Sequence, residues 1–123
     1  MKIEQFEIWN ISFDPSIGSE IRKTRPALVL SNTYYNIASG TIFVVPITST
    51  EPKIKNLSFY VKLSKNDQTK LKKDSFINIS QFRAVSKLRF VHKVGKCEKH
   101  ILEVVAKKML EILDLNILDI KYI

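Results

Sequence analysis

The sequence predicts a mainly β domain, built as a small and strongly bent antiparallel sheet or barrel with one α-helix at its C-terminal end. Short runs rich in β-branched and aromatic residues recur along most of the chain, separated by polar or turn-forming stretches. The C-terminal third then changes to helical spacing, with apolar residues at Ile101, Val105, Met109 and Ile112. At 123 residues, the chain is predicted to be a single domain spanning 1–123.

Six strands are predicted from the apolar runs. In chain order they cover residues 6–11, 26–31, 41–48, 58–63, 75–79 and 89–94, the last of them closed by a glycine. The second is apolar on both faces and is therefore expected to be central in the sheet. Pro46 cannot donate to a strand ladder, so the third strand is expected to become an edge, or to bulge, near its end at Thr48.

The connecting segments carry their own signals. Residues 12–19 are rich in turn formers, and Asn32 is a suitable N-cap for a single helical turn that Gly40 ends. The polar, lysine-rich stretch 64–74 is expected to be a solvated loop. The amphipathic helix is predicted from about Cys97 to about Leu115.

The chain carries a formal net charge of +8, and most of it falls in two central segments. Residues 53–73 contain seven lysines and one acidic residue, and residues 83–99 contain six lysines or arginines and one acidic residue. Such a distribution attracts polyanions and points to a nucleic acid partner. The alternative interpretation is a lysine-rich surface that only keeps the protein in solution.

Several classes of site and location are excluded or disfavoured by the sequence. A single cysteine, Cys97, excludes a disulfide within the chain and a cysteine-based zinc site. Two histidines without ligand spacing and three scattered glycines give no metal site and no phosphate loop, so no metal and no cofactor is expected. No apolar run approaches the ~20 residues that span a bilayer, and the N-terminus has no signal-peptide core. A cytoplasmic protein without membrane contact is therefore expected.

Arg25 and Thr48 are the candidates for chemistry. Proline at position 26 pushes the residue before it into an extended conformation, so the Arg25 guanidinium is expected at the entrance of a buried strand. A guanidinium stays charged and binds phosphate through two parallel hydrogen bonds. Thr48 offers a hydroxyl at the end of another strand. Each also has an ordinary interpretation, a surface charge for Arg25 and a good β-former for Thr48.

Four segments of the chain together resemble the MazF/PemK family of toxins in their order and spacing. They are Gly18-Ser19-Glu20, the Arg25–Ser31 run that begins Arg-Pro, Val45-Pro46-Ile47-Thr48-Ser49, and the Gln81–Arg89 block. The resemblance covers nearly the whole chain and includes the closing helix. One departure is visible, because the family often has a glycine before the acidic residue of the first strand, where this chain has Phe6.

The resemblance implies a fold and an activity. The fold would be a small SH3-like antiparallel barrel with a C-terminal α-helix, working as a homodimer. The protein would be the toxin of a type II toxin–antitoxin system and a metal-independent, sequence-specific endoribonuclease on single-stranded RNA, chiefly mRNA. The 2′-hydroxyl would attack the phosphate to give a 2′,3′-cyclic phosphate and a 5′-hydroxyl. The cognate antitoxin would inhibit by covering the RNA groove with an acidic, flexible segment.

The resemblance also assigns residues. Arg25 and Thr48 would be catalytic, with Arg25 mainly stabilising charge in the transition state. RNA-binding residues would lie in the loops beside them and at the start of the Gln81 block; these are Gly18, Ser19, Glu20, Ser49, Lys53 and Gln81.

Two other functions stay open at this stage. A non-catalytic, small basic barrel that binds RNA would need the lysines but not the pair of Arg25 and Thr48. A toxin of the same fold that poisons DNA gyrase is the second alternative. Recognition in that branch is associated with a tryptophan near the C-terminus, whereas the only tryptophan here is Trp9.

Overall fold

The computed structural model describes residues 1–13, 24–51 and 59–114. These residues contain strands β1 Glu7–Ser12, β2 Thr24–Val29, β3 Thr41–Thr48, β4 Tyr60–Leu63, β5 Ser75–Asn78, β6 Arg83–Ser86 and β7 Phe90–Lys96. Helix α1, Thr33–Ala38, connects β2 to β3, and helix α2, Lys99–Ile112, follows β7. Short 3₁₀ turns at Ile79–Gln81 and Lys87–Arg89 flank β6. None of the helices in the described part of the chain is long and apolar enough to cross a membrane.

The strands form one antiparallel sheet in the order β4-β5-β3-β2-β1-β7, with β6 beside β3. Strand β3 pairs with β2 along one edge, and with β6 and then β5 along the other. The 3₁₀ turn Ile79–Gln81 bends the chain between β5 and β6, which lets both strands share that edge. The predicted class, antiparallel β with a C-terminal helix, is confirmed. The described strands form an open path of ladders rather than a closed ring.

Alternation along the strands places two apolar clusters on opposite faces of the sheet. One cluster contains Ile8, Leu28 and Val45 and is covered by α2 through Val105, which is only 1% exposed. The other contains the residues next to them in sequence, among them Trp9, Ala27 and Val44. Each such side chain contributes about 1.5–3 kcal/mol when removed from water, so both faces stabilise the sheet.

Strand β3 corrects the expectation raised by Pro46. The strand is central rather than an edge, since Ile47 and Thr48 pair with β5. Pro46 lies between the two ladders on that side, after the Val44–Arg83 pair and before the Ile47–Ile77 pair. The missing N–H is therefore accommodated at a change of partner strand.

Two further boundaries differ from the prediction. Strand β2 begins at Thr24, so Arg25 is a paired strand residue opposite Ile11 and not a residue at the strand entrance. Strand β7 does not end at Gly95 but continues to Lys96. The glycine allows the strand to pack closely against the segment around Thr69. A Cβ at position 95 would lie 2.3 Å from the carbonyl oxygen of Thr69.

The predicted helices are confirmed within small shifts of their ends. The side-chain oxygen of Asn32 accepts a hydrogen bond from the backbone N–H of Tyr35 at 2.7 Å, which caps α1. Helix α2 lies inside the predicted interval.

Phe6, where the family often has glycine, has a φ of 78°. This is the left-handed region, which glycine adopts at little cost and phenylalanine does not.

Candidate active site

Strand register brings Arg25 and Thr48 together. Ala27 pairs with Pro46 across β2 and β3. Arg25 lies two residues before Ala27 and Thr48 two residues after Pro46, so both follow the same end of this ladder and share the faces of Ala27 and Pro46. Both residues line the same two grooves on the protein surface. The two side chains that the sequence singled out as candidates therefore share one site.

Arg25 presents a fixed charge to this site. Its neighbours in space are rigid, since Ile11 opposite it and Ala27 on the same face are both 0% exposed. The Arg25 side chain itself is exposed. Within the described ranges, no hydrogen bond or ion pair joins its guanidinium to another residue. Arg25 lines both grooves, where an anion can accept two of its donors at once.

Thr48 is half-buried, and a local turn orients its hydroxyl. The hydroxyl oxygen accepts a hydrogen bond from the backbone N–H of Thr50 at 3.1 Å. This bond uses a lone pair and leaves the hydroxyl proton for another acceptor. On its other side, Thr48 pairs with Phe76 of β5. A threonine held in this way can donate to a phosphate oxygen without first breaking a bond within the protein.

The first groove, here called the lysine groove, has a volume of about 570 Å³. Ser49, a predicted RNA-binding residue, lines it together with Arg25 and Thr48. Its far wall is cationic and is formed by Lys70, Lys72 and Lys73. These lysines were not predicted as site residues. Their density in residues 53–73 indicated a nucleic acid partner, but the stretch 64–74 was expected to be a solvated loop without a place in the site.

The loop that carries these lysines is held in place by backbone contacts. The side-chain oxygen of Asn66 accepts hydrogen bonds from the backbone N–H groups of Gln68 and Thr69, at 2.9 and 2.8 Å. The backbone N–H of Lys96 donates to the carbonyl of Gln68 at 3.0 Å. Thr69 is buried, and Gly95 of β7 packs against its carbonyl. The lysine side chains are exposed, but the backbone beneath them is fixed to the sheet.

The second groove, here called the amide groove, has a volume of about 390 Å³ and also begins at Arg25 and Thr48. Gln81, another predicted RNA-binding residue, lines it. Tyr60 and Asn78 complete the wall, and the sequence analysis did not identify either of them. No sequence signal pointed to this pair, because β4 and β5 come together only through their ladder.

The histidines do not line either groove. The side chains of His92, on β7, and Asn10 form a hydrogen bond of 3.0 Å. Of these two residues, Asn10 lines the lysine groove and His92 does not. His100 is exposed at the start of α2 and lies 2.9 Å from the Glu98 carboxylate. Over residues 1–13, 24–51 and 59–114, no group of three or more histidine, cysteine, aspartate or glutamate side chains comes together to hold a metal ion.

Comparison with known proteins identifies the family. Residues 4–113 match the family of PemK-like, MazF-like toxins of type II toxin–antitoxin systems. The chain belongs to this family. The predicted relationship is therefore confirmed over most of the sequence.

Relatives of this MazF-like toxin carry names that agree with the match. One is the endoribonuclease MazF9 of Mycobacterium tuberculosis, which is 36% identical over 95 residues, covering 73% of this chain and 78% of that protein. Another is the endoribonuclease EndoA of Bacillus subtilis, which is 27% identical over 103 residues, covering 84% of this chain and 87% of EndoA.

The fold of this MazF-like toxin is shared with solved structures. MazF in a MazE–MazF crystal structure from Deinococcus radiodurans superposes with a TM-score of 0.74 at 23% identity, covering 94% of this chain and 100% of that one. The Mycobacterium tuberculosis toxin MazF-mt6 superposes with a TM-score of 0.71 at 17% identity, covering 89% of this chain and 98% of that one. At these identities the likeness shows the fold.

Four of the predicted RNA-binding residues of the MazF-like chain lie outside the residues that the structure describes. These are Gly18, Ser19 and Glu20 in the segment between β1 and β2, and Lys53 in the segment between β3 and β4. Ser49 and Gln81 are described, and each lines one of the two grooves.

Proposed function

We propose that this MazF-like toxin is a metal-independent, sequence-specific endoribonuclease that cleaves single-stranded RNA, chiefly mRNA. The observation that carries the proposal is the common position of Arg25 and Thr48 where the two grooves meet. A strand of RNA that follows both grooves passes over these two side chains. For cleavage at that point, both side chains must contact the same phosphodiester.

RNA contains its own nucleophile, so the protein has few chemical tasks. The 2′-oxygen bonds to phosphorus while the bond from phosphorus to the 5′-oxygen breaks, which gives a 2′,3′-cyclic phosphate and a 5′-hydroxyl. One proton leaves the 2′-hydroxyl to solvent water in the open groove, and one is delivered from solvent water to the 5′-oxygen, so the protons balance. Negative charge accumulates on the non-bridging oxygens in between, and preorganised donors there lower the barrier.

Arg25 and Thr48 supply such donors. The guanidinium of Arg25 can form two parallel hydrogen bonds to the non-bridging oxygens, and guanidinium groups stay protonated in proteins. We therefore assign Arg25 mainly to the stabilisation of charge in the transition state. The Thr48 hydroxyl donates a hydrogen bond to the same phosphate, since its oxygen already accepts one from the Thr50 N–H.

The lysine groove suits the RNA backbone. Lys70, Lys72 and Lys73 stand along one wall of a groove that begins at the reacting phosphate. Ammonium groups neutralise phosphates without reading sequence. Lys53 and the segment Gly18-Ser19-Glu20 belong to the same proposal through the family resemblance, as further RNA contacts.

We propose two protein partners for this toxin, a cognate antitoxin and a second copy of the chain. The solved mycobacterial endoribonuclease structure that covers 93% of this chain, with a TM-score of 0.71 and 16% identity, is a complex with its cognate antitoxin. We propose that this chain likewise has a cognate antitoxin, whose acidic flexible segment occupies the lysine groove, and that it acts as a homodimer in the cytoplasm. Light scattering of the purified toxin should give the mass of two chains.

Cleavage of a long RNA tests the function. Purified, antitoxin-free protein is incubated with single-stranded RNA in excess chelator, and the ends of the fragments are mapped. The expected result is cutting at one short motif, with cyclic phosphate ends. Arg25→Ala should abolish cutting while the circular dichroism spectrum stays unchanged and RNA is still bound. If the folded wild-type dimer cuts no RNA but binds it, the protein is the non-catalytic RNA-binding barrel.

The gyrase alternative finds no support in the position of the tryptophan. Trp9 is only 6% exposed, and its indole N–H donates to the Glu7 carboxylate at 2.9 Å. A residue held in this way has no surface with which to recognise a partner. A supercoiling assay with purified gyrase should therefore show no inhibition.

A further inference from the structure

We propose that the amide groove receives one unstacked nucleobase beside the scissile phosphate, that Tyr60 stacks on this base, and that Gln81 determines which base is accepted. The inference rests on the proposed endoribonuclease function and assigns part of its sequence specificity. It concerns the groove lined by Tyr60, Asn78 and Gln81, which is continuous with Arg25 and Thr48.

Strand pairing sets the distance between this groove and the reacting phosphate. Thr48 pairs with Phe76 of β5, and Asn78 lies two residues further along the same strand. Asn78 in turn pairs with Tyr60 of β4. Residues two apart on a strand share a face and lie about 7 Å apart. Tyr60 and Asn78 therefore stand one row from Thr48 on the same face, within reach of a base whose phosphate is held at Thr48.

Tyr60 provides a surface for stacking. Its ring is half-buried in the groove wall. Unstacked RNA bases are commonly bound on aromatic side chains, and loss of one such ring lowers affinity by about 5- to 150-fold. Stacking accepts every base, so Tyr60 gives binding and position more than choice.

Asn78 positions Tyr60 rather than reading the base. Its side-chain oxygen accepts hydrogen bonds from the backbone N–H and the hydroxyl of Ser80, at 3.1 and 2.6 Å. Its side-chain nitrogen donates to the Tyr60 hydroxyl at 3.5 Å. Two hydrogen bonds engage the oxygen and one engages the nitrogen, so a single N–H of Asn78 is left for a ligand.

Gln81 provides the choice. The side chain is exposed and lines the groove, and within the described part of the chain no residue hydrogen-bonds to its amide. Its backbone is fixed by the 3₁₀ turn Ile79–Gln81, which the Phe82 N–H closes onto the Ile79 carbonyl at 3.2 Å. A carboxamide presents one donor side and one acceptor side, which matches the paired donor and acceptor on the edge of a base.

The two grooves should therefore respond differently to substitution. Contacts between lysine and phosphate position the strand and carry no sequence information, whereas contacts to base edges specify it. Substitution in the lysine groove should weaken all RNAs equally. Substitution in the amide groove should change which sequence is bound and cut.

The experiment cleaves an RNA library that is randomised around the cleavage site and sequences the fragment ends. Tyr60→Leu and Gln81→Ala are compared with wild type, and Lys72→Gln is the control from the other groove. We expect Tyr60→Leu to lower kcat/KM on the preferred motif by about 5- to 150-fold. Gln81→Ala should relax preference at one position of the motif. Lys72→Gln should slow all sequences and leave the motif unchanged.

Two further measurements keep the outcomes distinct. Tyr60→Phe retains the ring and should cut like wild type, which separates stacking from the bond to Asn78; a loss equal to that of Tyr60→Leu would contradict the stacking role. An unchanged motif in Gln81→Ala overturns the inference. If wild type cuts nothing, binding of the four RNA homopolymers to wild type and to Gln81→Ala is the test, and an equal base preference in the two overturns it.

Discussion

The hydroxyl oxygen of Thr48 and the backbone nitrogen of Thr50 lie 3.1 Å apart, in a hydrogen bond that closes a small turn after β3. The turn orients the Thr48 hydroxyl at the point where the two grooves meet. The Thr50 N–H occupies one lone pair of the Thr48 hydroxyl oxygen, and the hydroxyl proton stays available to donate to another acceptor.

Substitution of Thr48 tests this arrangement. Thr48→Val keeps the shape but removes the donor, and the cleavage rate should fall about 10²- to 10³-fold, as when one donor to a developing oxyanion is lost. Thr48→Ser keeps the hydroxyl and should stay within about tenfold of wild type. Single-turnover cleavage of one RNA at saturating protein measures both. Equal rates for Thr48→Val and Thr48→Ser would remove Thr48 from the chemistry.

The affinity of the lysine groove for RNA should depend on salt concentration. Lys72→Gln should weaken RNA binding and lower the slope of log affinity against log salt by about 0.7, the value for one phosphate contact to a single strand. Lys107→Gln is the matched control, since it removes the same charge from an exposed position on α2. Fluorescence anisotropy over a salt series measures both slopes. An equal change in the two variants would mean that net charge, not the groove, governs binding.

Gly95 should be needed for the position of the lysine loop. In Gly95→Ala the added Cβ meets the carbonyl oxygen of Thr69 at 2.3 Å, so the loop must move. We expect a loss of about 1–3 kcal/mol in the free energy of unfolding, together with weaker RNA binding. Gly40→Ala is the control, because nothing lies within 4 Å of its added Cβ. Urea unfolding of both variants gives the comparison, and equal stabilities would contradict the packing argument.

Glu7 should make stability depend on acid pH. Burial raises the pKa of this carboxyl, but hydrogen bonds from the Glu4 N–H and the Trp9 indole, and the Lys93 ammonium at 2.9 Å, outweigh it and lower the pKa below its ordinary value of 4.5. A lowered folded-state pKa gives stability that is complete above the ordinary value and is lost as pH falls through the folded-state pKa.

The test compares Glu7→Gln with wild type in urea at several acid pH values. The slope of wild-type stability against pH should exceed that of Glu7→Gln by up to about 1.4 kcal/mol per pH unit, the contribution of one proton. Glu4→Gln, which removes one exposed carboxylate, is the control for the loss of one negative charge. Parallel curves for Glu7→Gln and wild type would show that Glu7 does not contribute.

Phe6 should reverse the usual order of glycine and alanine. Its φ of 78° favours glycine, so Phe6→Gly should be more stable than Phe6→Ala by about 1 kcal/mol. Both variants lose the ring that packs against the cluster under α2, so their difference isolates the backbone. The same pair at Val91, an exposed residue of β7, should show alanine as the more stable. Thermal unfolding measures all four variants.

The sequence indicated the groove residues that belong to recognisable motifs better than those that do not. Arg25, Thr48, Ser49 and Gln81 all line the grooves, and all four occur in segments that resemble the family in order and spacing. The lysine loop was visible as composition only. Its place beside Arg25 depends on contacts with β7, which is distant in sequence.

The amino-acid sequence by itself determined the elements, the apolar faces, the basic charge and the pair of Arg25 and Thr48, because periodicity, proline and residue chemistry act locally. Only the tertiary structure decided that β3 is central, that Lys70, Lys72 and Lys73 form one wall of the site and that Tyr60 stands one row from Thr48. These features depend on the pairing of strands that are far apart in the chain. Register between such strands is set by the packing of the whole sheet and not by the residues of either strand alone.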